Sequence, residues 1–167
     1  MKFIGHEQEQ FVIEMNDQEK SLFLAILSLF PQVPAAHHQF SRQPGLPDAD
    51  ANQHLLEESL AAEKKESRQW ITATFKNTKR FAPVKTGETE CHLHLHLSVS
   101  RADIEMLLQI FNDVRLGSWL ALGSPDLGQK KKPAPNRQTA PFIQRMELAG
   151  LFEMFFLKIL HDPDAAR

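Results

Sequence analysis

The chain changes its hydrophobic period at a single residue, Ser100. From Glu90 to Ser100 apolar and polar residues alternate strictly, which is typical of a β-strand with one buried face. Beyond Ser100 apolar residues recur every three or four positions, which indicates an amphipathic helix. Asp103 follows three residues later, a weaker relative of the capping box. The sequence therefore predicts a strand that leads directly into a helix ending near Leu116 or Leu122.

The other periodic segments predict three more helices and a short N-terminal strand. Prolines and glycines separate them and indicate flexible loops near 31–49 and 123–141. The second helix either continues to Phe75 or passes into a strand near Ile71. At 167 residues we expect a single domain, 1–167. Its predicted class is α+β, predominantly helical with about four helices and a small antiparallel sheet built from the N-terminal and histidine strands. The predicted segments are a strand at 11–15, with 2–4 as a candidate strand before it, and helices at 17–30, 50–69 and 141–160.

Composition excludes several classes of partner. The formal net charge is −2, which argues against nucleic acid as a partner. The N-terminal segment lacks the apolar core of a signal peptide. Charged residues interrupt the apolar C-terminal helix, so we expect no membrane span. The lone cysteine, Cys91, lies on the apolar face of a strand and fits a reducing compartment. We therefore expect a cytoplasmic protein.

Three histidines share the polar face of the alternating strand. His92, His94 and His96 are spaced by two residues, which places neighbouring side chains roughly 6.5–7 Å apart. Such a face could bind zinc or iron with help from an outside carboxylate. No second ligand cluster such as HExxH or CxxC accompanies it, and a solvated polar strand face explains the pattern equally simply. We favour that interpretation and predict no cofactor, with zinc or iron as the alternative.

No catalytic residue is assigned. The sequence contains no GxSxG, P-loop or GxGxxG motif, and Cys91 has no plausible base nearby. The Lys130–Lys132 run is typical of a solvated loop, because no aromatic residues interleave with the lysines. An enzyme is therefore less expected than a binding protein.

An arginine lies within the apolar stripe of the helix after Ser100. At about 100° per residue, Arg115 falls near the centre of that stripe and Asn112 at its edge. A buried guanidinium needs a partner. The same projection puts Glu63 on the inner stripe of the second helix, with Glu57 or Glu58 behind it. We predict a pair between Arg115 and one of these glutamates, as a structural ion pair or as part of a polar binding site.

Two of the predicted helices, 17–30 and 141–160, are apolar on nearly all sides. A domain of this size can enclose one such helix completely, but enclosing both leaves too little covering surface. The surplus predicts either a homodimer or a groove for an unknown protein partner. The predicted interface residues lie on the final helix and are Phe152, Phe155, Phe156 and Ile159.

The segment Arg101–Leu122 is similar to part of an uncharacterised bacterial family, catalogued as domain of unknown function 2017. The resemblance rests on Asn112–Gly117, which reads NDVRLG, with weaker similarity in Leu55–Leu60 and the final helix. The proline-rich loop around Lys130 departs from the family pattern. Members are often encoded beside a protease adaptor, so the resemblance implies a regulatory or adaptor role. The predicted function is a non-enzymatic interaction protein, and the alternative is a metal-binding protein or metalloenzyme.

Overall fold

The computed structural model describes residues 1–7, 9–34, 37–38, 48–76, 80–84, 94–125 and 135–161. Within these ranges the chain forms four strands and four helices, which confirms the predicted α+β class. The strands are β1 (Lys2–Glu7), β2 (Gln10–Met15), β3 (Phe81–Pro83) and β4 (Leu95–Val99). The helices are α1 (Asp17–Ser28), α2 (Ala49–Phe75), α3 (Arg101–Ala121) and α4 (Ala140–His161).

The four strands form one antiparallel sheet in the order β1-β2-β4-β3. Phe11 lies opposite Val99 and Met15 opposite Leu95, so the N-terminal hairpin pairs with the histidine strand as predicted. Strand β3 was not predicted. It contains three residues and ends in Pro83, at the sheet edge where a proline is tolerated.

The alternation of β4 has the expected consequence for packing. Leu95, Leu97 and Val99 are buried, whereas His96 and Ser98 are only half-buried. The leucine face of the strand joins the same core cluster as the inner faces of the helices. Residues 85–93 lie outside the described part of the chain, so the predicted contributions of Cys91 and His92 stay predictions.

Phe23 of α1 lies at the centre of the aromatic core. Its ring is surrounded by five other phenylalanine rings at centroid distances of 5.4–6.5 Å, and these belong to Phe75, Phe81, Phe111, Phe152 and Phe156. Phe111 of α3 stacks on both Phe152 and Phe156 of α4, with interplanar angles of 22° and 25°. These contacts fix α3 against α4, which is the most extensive contact between helices.

The start of α3 is held by a reciprocal capping box. Ser100 Oγ accepts from the Asp103 backbone N–H at 3.1 Å, and Asp103 Oδ2 accepts from the Ser100 N–H at 2.9 Å. Arg80 Nη1 also donates to Asp103 Oδ2, at 2.6 Å. Burial raises the pKa of the Asp103 carboxyl, but the hydrogen bonds from Ser100 and Arg80 outweigh it and leave that pKa below its usual range. The carboxylate therefore links the edge of the sheet to the start of α3.

We predict that Asp103→Asn lowers the free energy of unfolding by about 1–3 kcal/mol at pH 7, because the charge-assisted bond to Arg80 is lost. The folded pKa lies below the unfolded one. The stabilisation is therefore complete above the unfolded pKa and disappears as the pH falls through the folded pKa. Urea titrations at several pH values measure the free energy of unfolding of wild type and variant. The difference between the two free energies should become smaller in acid. Asp17→Asn, at an exposed first-turn position of α1, should cost less than about 1 kcal/mol. A difference for Asp103→Asn that stayed constant into acid would contradict this account.

The segment after α1 crosses α3 at a glycine. A Cβ atom on Gly117 would lie 2.3 Å from the Gln32 Cβ and 2.7 Å from its carbonyl carbon. One turn earlier, Asp113 Oδ1 accepts from the backbone N–H of Gln32 at 2.5 Å and of Val33 at 3.4 Å. Lys64 of α2 lies 3.9 Å from the same carboxylate and donates to the Val33 carbonyl at 2.6 Å. These contacts join α1, α2 and α3 through one short segment.

We predict that Gly117→Ala destabilises the protein by about 1–3 kcal/mol, because the added methyl group meets backbone that cannot move freely. Gly150→Ala is the matched control, since its Cβ would meet only Arg115 Cδ at 3.7 Å, an ordinary contact. That variant should gain up to about 1 kcal/mol from helix propensity. Thermal unfolding followed by circular dichroism measures the Tm of both variants. Equal shifts in Tm would contradict the close approach at Gly117.

None of the helices in the described ranges combines the length and the apolar character that a membrane crossing requires.

Candidate functional site

The histidine face of the sheet is organised around a glutamate. Glu14 of β2 lies directly opposite His96 of β4. Its Oε1 atom is 2.9 Å from His94 Nδ1, and its Oε2 atom is 3.9 Å from His96 Nε2. All three side chains are partly exposed. His92, the third predicted ligand, lies outside the described residues.

The arrangement at Glu14 resembles a row of cross-strand polar pairs. In the described part of the chain, no group of three or more His, Cys, Asp or Glu residues is placed so that it could hold a metal ion. Each histidine instead has the Glu14 carboxylate as a neighbour, and opposite polar partners on adjacent strands stabilise a sheet modestly. His94 and His96 therefore lie on a partly exposed polar face and share Glu14 as their neighbour.

Arg115 finds a glutamate partner, but on a different helix from the one predicted. Its Nε atom lies 3.0 Å from Glu153 Oε2 of α4, and its Nη2 atom donates to Asn112 Oδ1 at 3.1 Å. Glu58 instead pairs within α2 with His54, at 3.5 Å. Glu63 is exposed and lines a small hollow between α2 and α3. The predicted cluster of Arg115 with Glu63 and Glu58 was therefore wrong, and the contact between Arg115 and Asn112 is present.

The error has a geometric cause. The predicted stripe of α3 was centred near Phe111, but the buried residues centre between Leu107 and Val114, about 60° away around the helix. Gly117 and Ser118 belong to the buried face but do not count as apolar in a hydrophobic pattern. The rotation moves Arg115 to the margin, where its side chain is 47% exposed.

A shallow groove runs between α3 and α4 on the outside of the molecule. It consists of two adjoining hollows of about 500 and 470 Å³ that share Arg115 and Gly150. The Arg115 side chain passes over Gly150 of α4 and reaches Glu153. We call this feature the α3–α4 groove. Its apolar lining residues are Leu116, Trp119, Met146, Leu151, Met154 and Leu157.

The outer surface of α4 is apolar where a surface helix usually carries polar residues. Leu151 is 59% exposed, Met154 65% and Leu157 39%. Around the helix, Met154 lies about 180° from the centre of the buried residues, with Leu151 and Leu157 about 60° to either side. We call these three residues the α4 outer face.

The predicted interface residues are mostly in the core instead. Phe152, Phe156 and Ile159 are buried, and Phe155 is half-buried and packed against the core cluster. These side chains are therefore not available to a partner, and the predicted interface residues were wrong. The sequence signal was the apolar character of the whole helix. It could not tell which side faced inwards, because large apolar residues occupy both.

Another hollow, of about 720 Å³, lies between α2 and the segment Pro31–Val33. Lys64, Lys65 and Arg68 line it and make it basic. Lys64 is already bonded to the Val33 carbonyl and lies near Asp113, so it contributes to the packing of α2. We therefore interpret this hollow as a space left between α2 and the segment that packs against it.

Comparison of the chain with protein-family models, with curated proteins and with solved structures found no match to any of them.

Proposed function

We propose that this protein is a non-enzymatic cytoplasmic interaction protein, of regulatory or adaptor type, that binds another polypeptide through the α4 outer face. The observation that carries the proposal is the exposure of Leu151 and Met154 on the side of α4 opposite the core. A surface helix normally places charged and polar residues there. Large apolar side chains at those positions are explained if a partner covers them.

The chemistry beside this face suits a protein ligand. Trp119 and Arg115 line the adjoining groove, and both residue types are enriched at protein–protein contacts. Methionine adapts its shape to a partner, which fits the position of Met154 at the centre of the face. Arg115 in the groove is paired with Glu153 and Asn112. This arrangement offers a polar rim beside an apolar centre. The resemblance of Asn112–Gly117 to the family of unknown function supports an adaptor role.

We predict that a photo-crosslinking amino acid at Met154 forms a covalent adduct with a polypeptide in cells that express the protein from its own gene. The same group at Gln18, an exposed residue of α1, should form none. Leu151→Glu in the Met154-labelled protein should abolish the adduct, because a buried unpaired carboxylate opposes binding. Gel mobility and mass spectrometry identify the adduct.

The control for folding is the thermal unfolding midpoint of Leu151→Glu. The substituted side chain is exposed, so Tm should change by no more than a few degrees. Absence of any adduct from position 154 would contradict the proposed function. An adduct that survives Leu151→Glu would place the contact elsewhere and would also contradict it.

Metal binding at the histidine face is the second candidate. The feature that favours it is the placement of the Glu14 carboxylate between His94 and His96. His92 would have to complete the ligand set. Protein purified without a histidine tag should then contain stoichiometric zinc or iron that is lost in His94→Ala. Metal-free protein that retains its partner contact favours the interaction role.

A further inference from the structure

We infer that the partner on the α4 outer face is a second copy of this chain. The two α4 helices pack antiparallel about a two-fold axis that passes beside Met154. The inference rests on the proposed function and specifies the occupant of the same surface. The order of charged and apolar residues along the exposed side of α4 supports this arrangement.

The exposed side of α4 has an acidic end, an apolar centre and a basic end. Glu147 lies two turns before Met154, and Lys158 and His161 follow one and two turns after it. All of these side chains are exposed, and Glu147, Lys158 and His161 form no ion pair within the described residues. From Glu147 to Lys158 the strip is about 17 Å long, at about 1.5 Å per residue.

This order is complementary to itself when it is reversed. In an antiparallel pair centred on Met154, residue 151 of one copy lies level with residue 157 of the other, and residue 147 with residue 161. Leu151 and the second copy's Leu157 then lie at the same level along the helices. They are on opposite sides of the seam, the line along which the two α4 helices touch. Two such pairs flank the central methionines. A two-fold interface requires this kind of self-complementarity, because one patch must serve both subunits.

The charges favour the same arrangement. Antiparallel packing brings Glu147 to the same side of the seam as Lys158 of the other copy, with an axial offset of about 4.5 Å. The symmetry produces this contact twice. Parallel packing in register would instead place glutamate near glutamate and lysine near lysine, which is unfavourable. The charged ends therefore specify direction, and the apolar centre supplies the attraction.

The size of the surface sets the expected strength. Three large apolar residues from each copy, with the adjoining groove, make an interface at the small end of specific ones, on the order of 1,200 Å² in total. Interfaces at this small end are typical of weak, transient contacts, so we expect a dissociation constant on the order of micromolar. The monomer and the dimer would thus both be populated at accessible concentrations, and sedimentation analysis can measure their equilibrium.

The charge arrangement is tested by a reversal cycle on the full chain. Sedimentation equilibrium measures the dimer dissociation constant of wild type, Glu147→Lys, Lys158→Glu and the double variant. Each single reversal should raise the constant at least about tenfold, because like charges then meet twice across the axis. The double variant should return to within about threefold of wild type, because the symmetry restores both pairs with opposite sign.

Cross-linking at the axis provides an independent measurement. In a Cys91→Ser background, Met154→Cys should oxidise rapidly to a disulfide-linked dimer, because the two cysteines face each other. Gln18→Cys, on exposed α1, should remain monomeric under the same conditions. Adding Leu151→Glu to the Met154→Cys protein should slow the oxidation to the rate of the control.

The outcomes separate this inference from the proposed function. If the wild-type chain stays monomeric to millimolar concentration while position 154 cross-links to a different polypeptide in cells, the second copy is excluded and the interaction role stands. If position 154 cross-links to nothing, both fail. If the single reversals weaken a dimer that the double variant does not restore, the antiparallel arrangement is overturned.

Discussion

The rest of this structure depends on one contact, the stacking of Phe111 of α3 against two phenylalanine rings of α4. Phe111 lies against Phe152 and Phe156, and all three rings surround Phe23 of α1. Burying each such side chain contributes about 1.5–3 kcal/mol. The stack sets the rotation of α3 about its own axis, and this rotation decides what every other residue of the helix faces. With Phe111 turned towards α4, the small residues Gly117 and Ser118 turn inwards and the Gln32 backbone can approach.

The same rotation turns Asp113 and Arg115, which are only two residues apart in the sequence, towards different helices. Asp113 turns towards α2, where it accepts from the Gln32 and Val33 backbone and lies near Lys64. Arg115 turns the other way, towards Glu153. The first pair is nearly enclosed and joins three elements. The second is half-exposed, and pairs of that kind typically contribute no more than about 1 kcal/mol. Arg115 therefore matters more for the character of the groove than for the stability of the fold.

Local patterns predicted the elements well, and tertiary orientation much less well. The capped start of α3 followed from Ser100, whose side chain bonds to the backbone N–H three residues further on. The alternation of β4 and its pairing with the N-terminal strand also followed from short-range patterns. Strand β3 was missed because three residues carry no periodicity. The Arg115 partner was missed because the inward direction of α3 depends on small residues that a hydrophobic pattern does not weigh.

The interface prediction failed for a reason that also explains the proposed site. In α4 the residues that face inwards and those that face outwards are equally apolar, so no pattern within the helix distinguishes them. One side, with Phe152, Phe156 and Ile159, is buried in the core. The other side, with Leu151 and Met154, contributes little to the stability of the monomer because water reaches it. A helix that required only one apolar side could carry polar residues at these positions without loss of packing. We therefore propose that an association accounts for the second apolar side, and that the charges at its two ends give this association a direction.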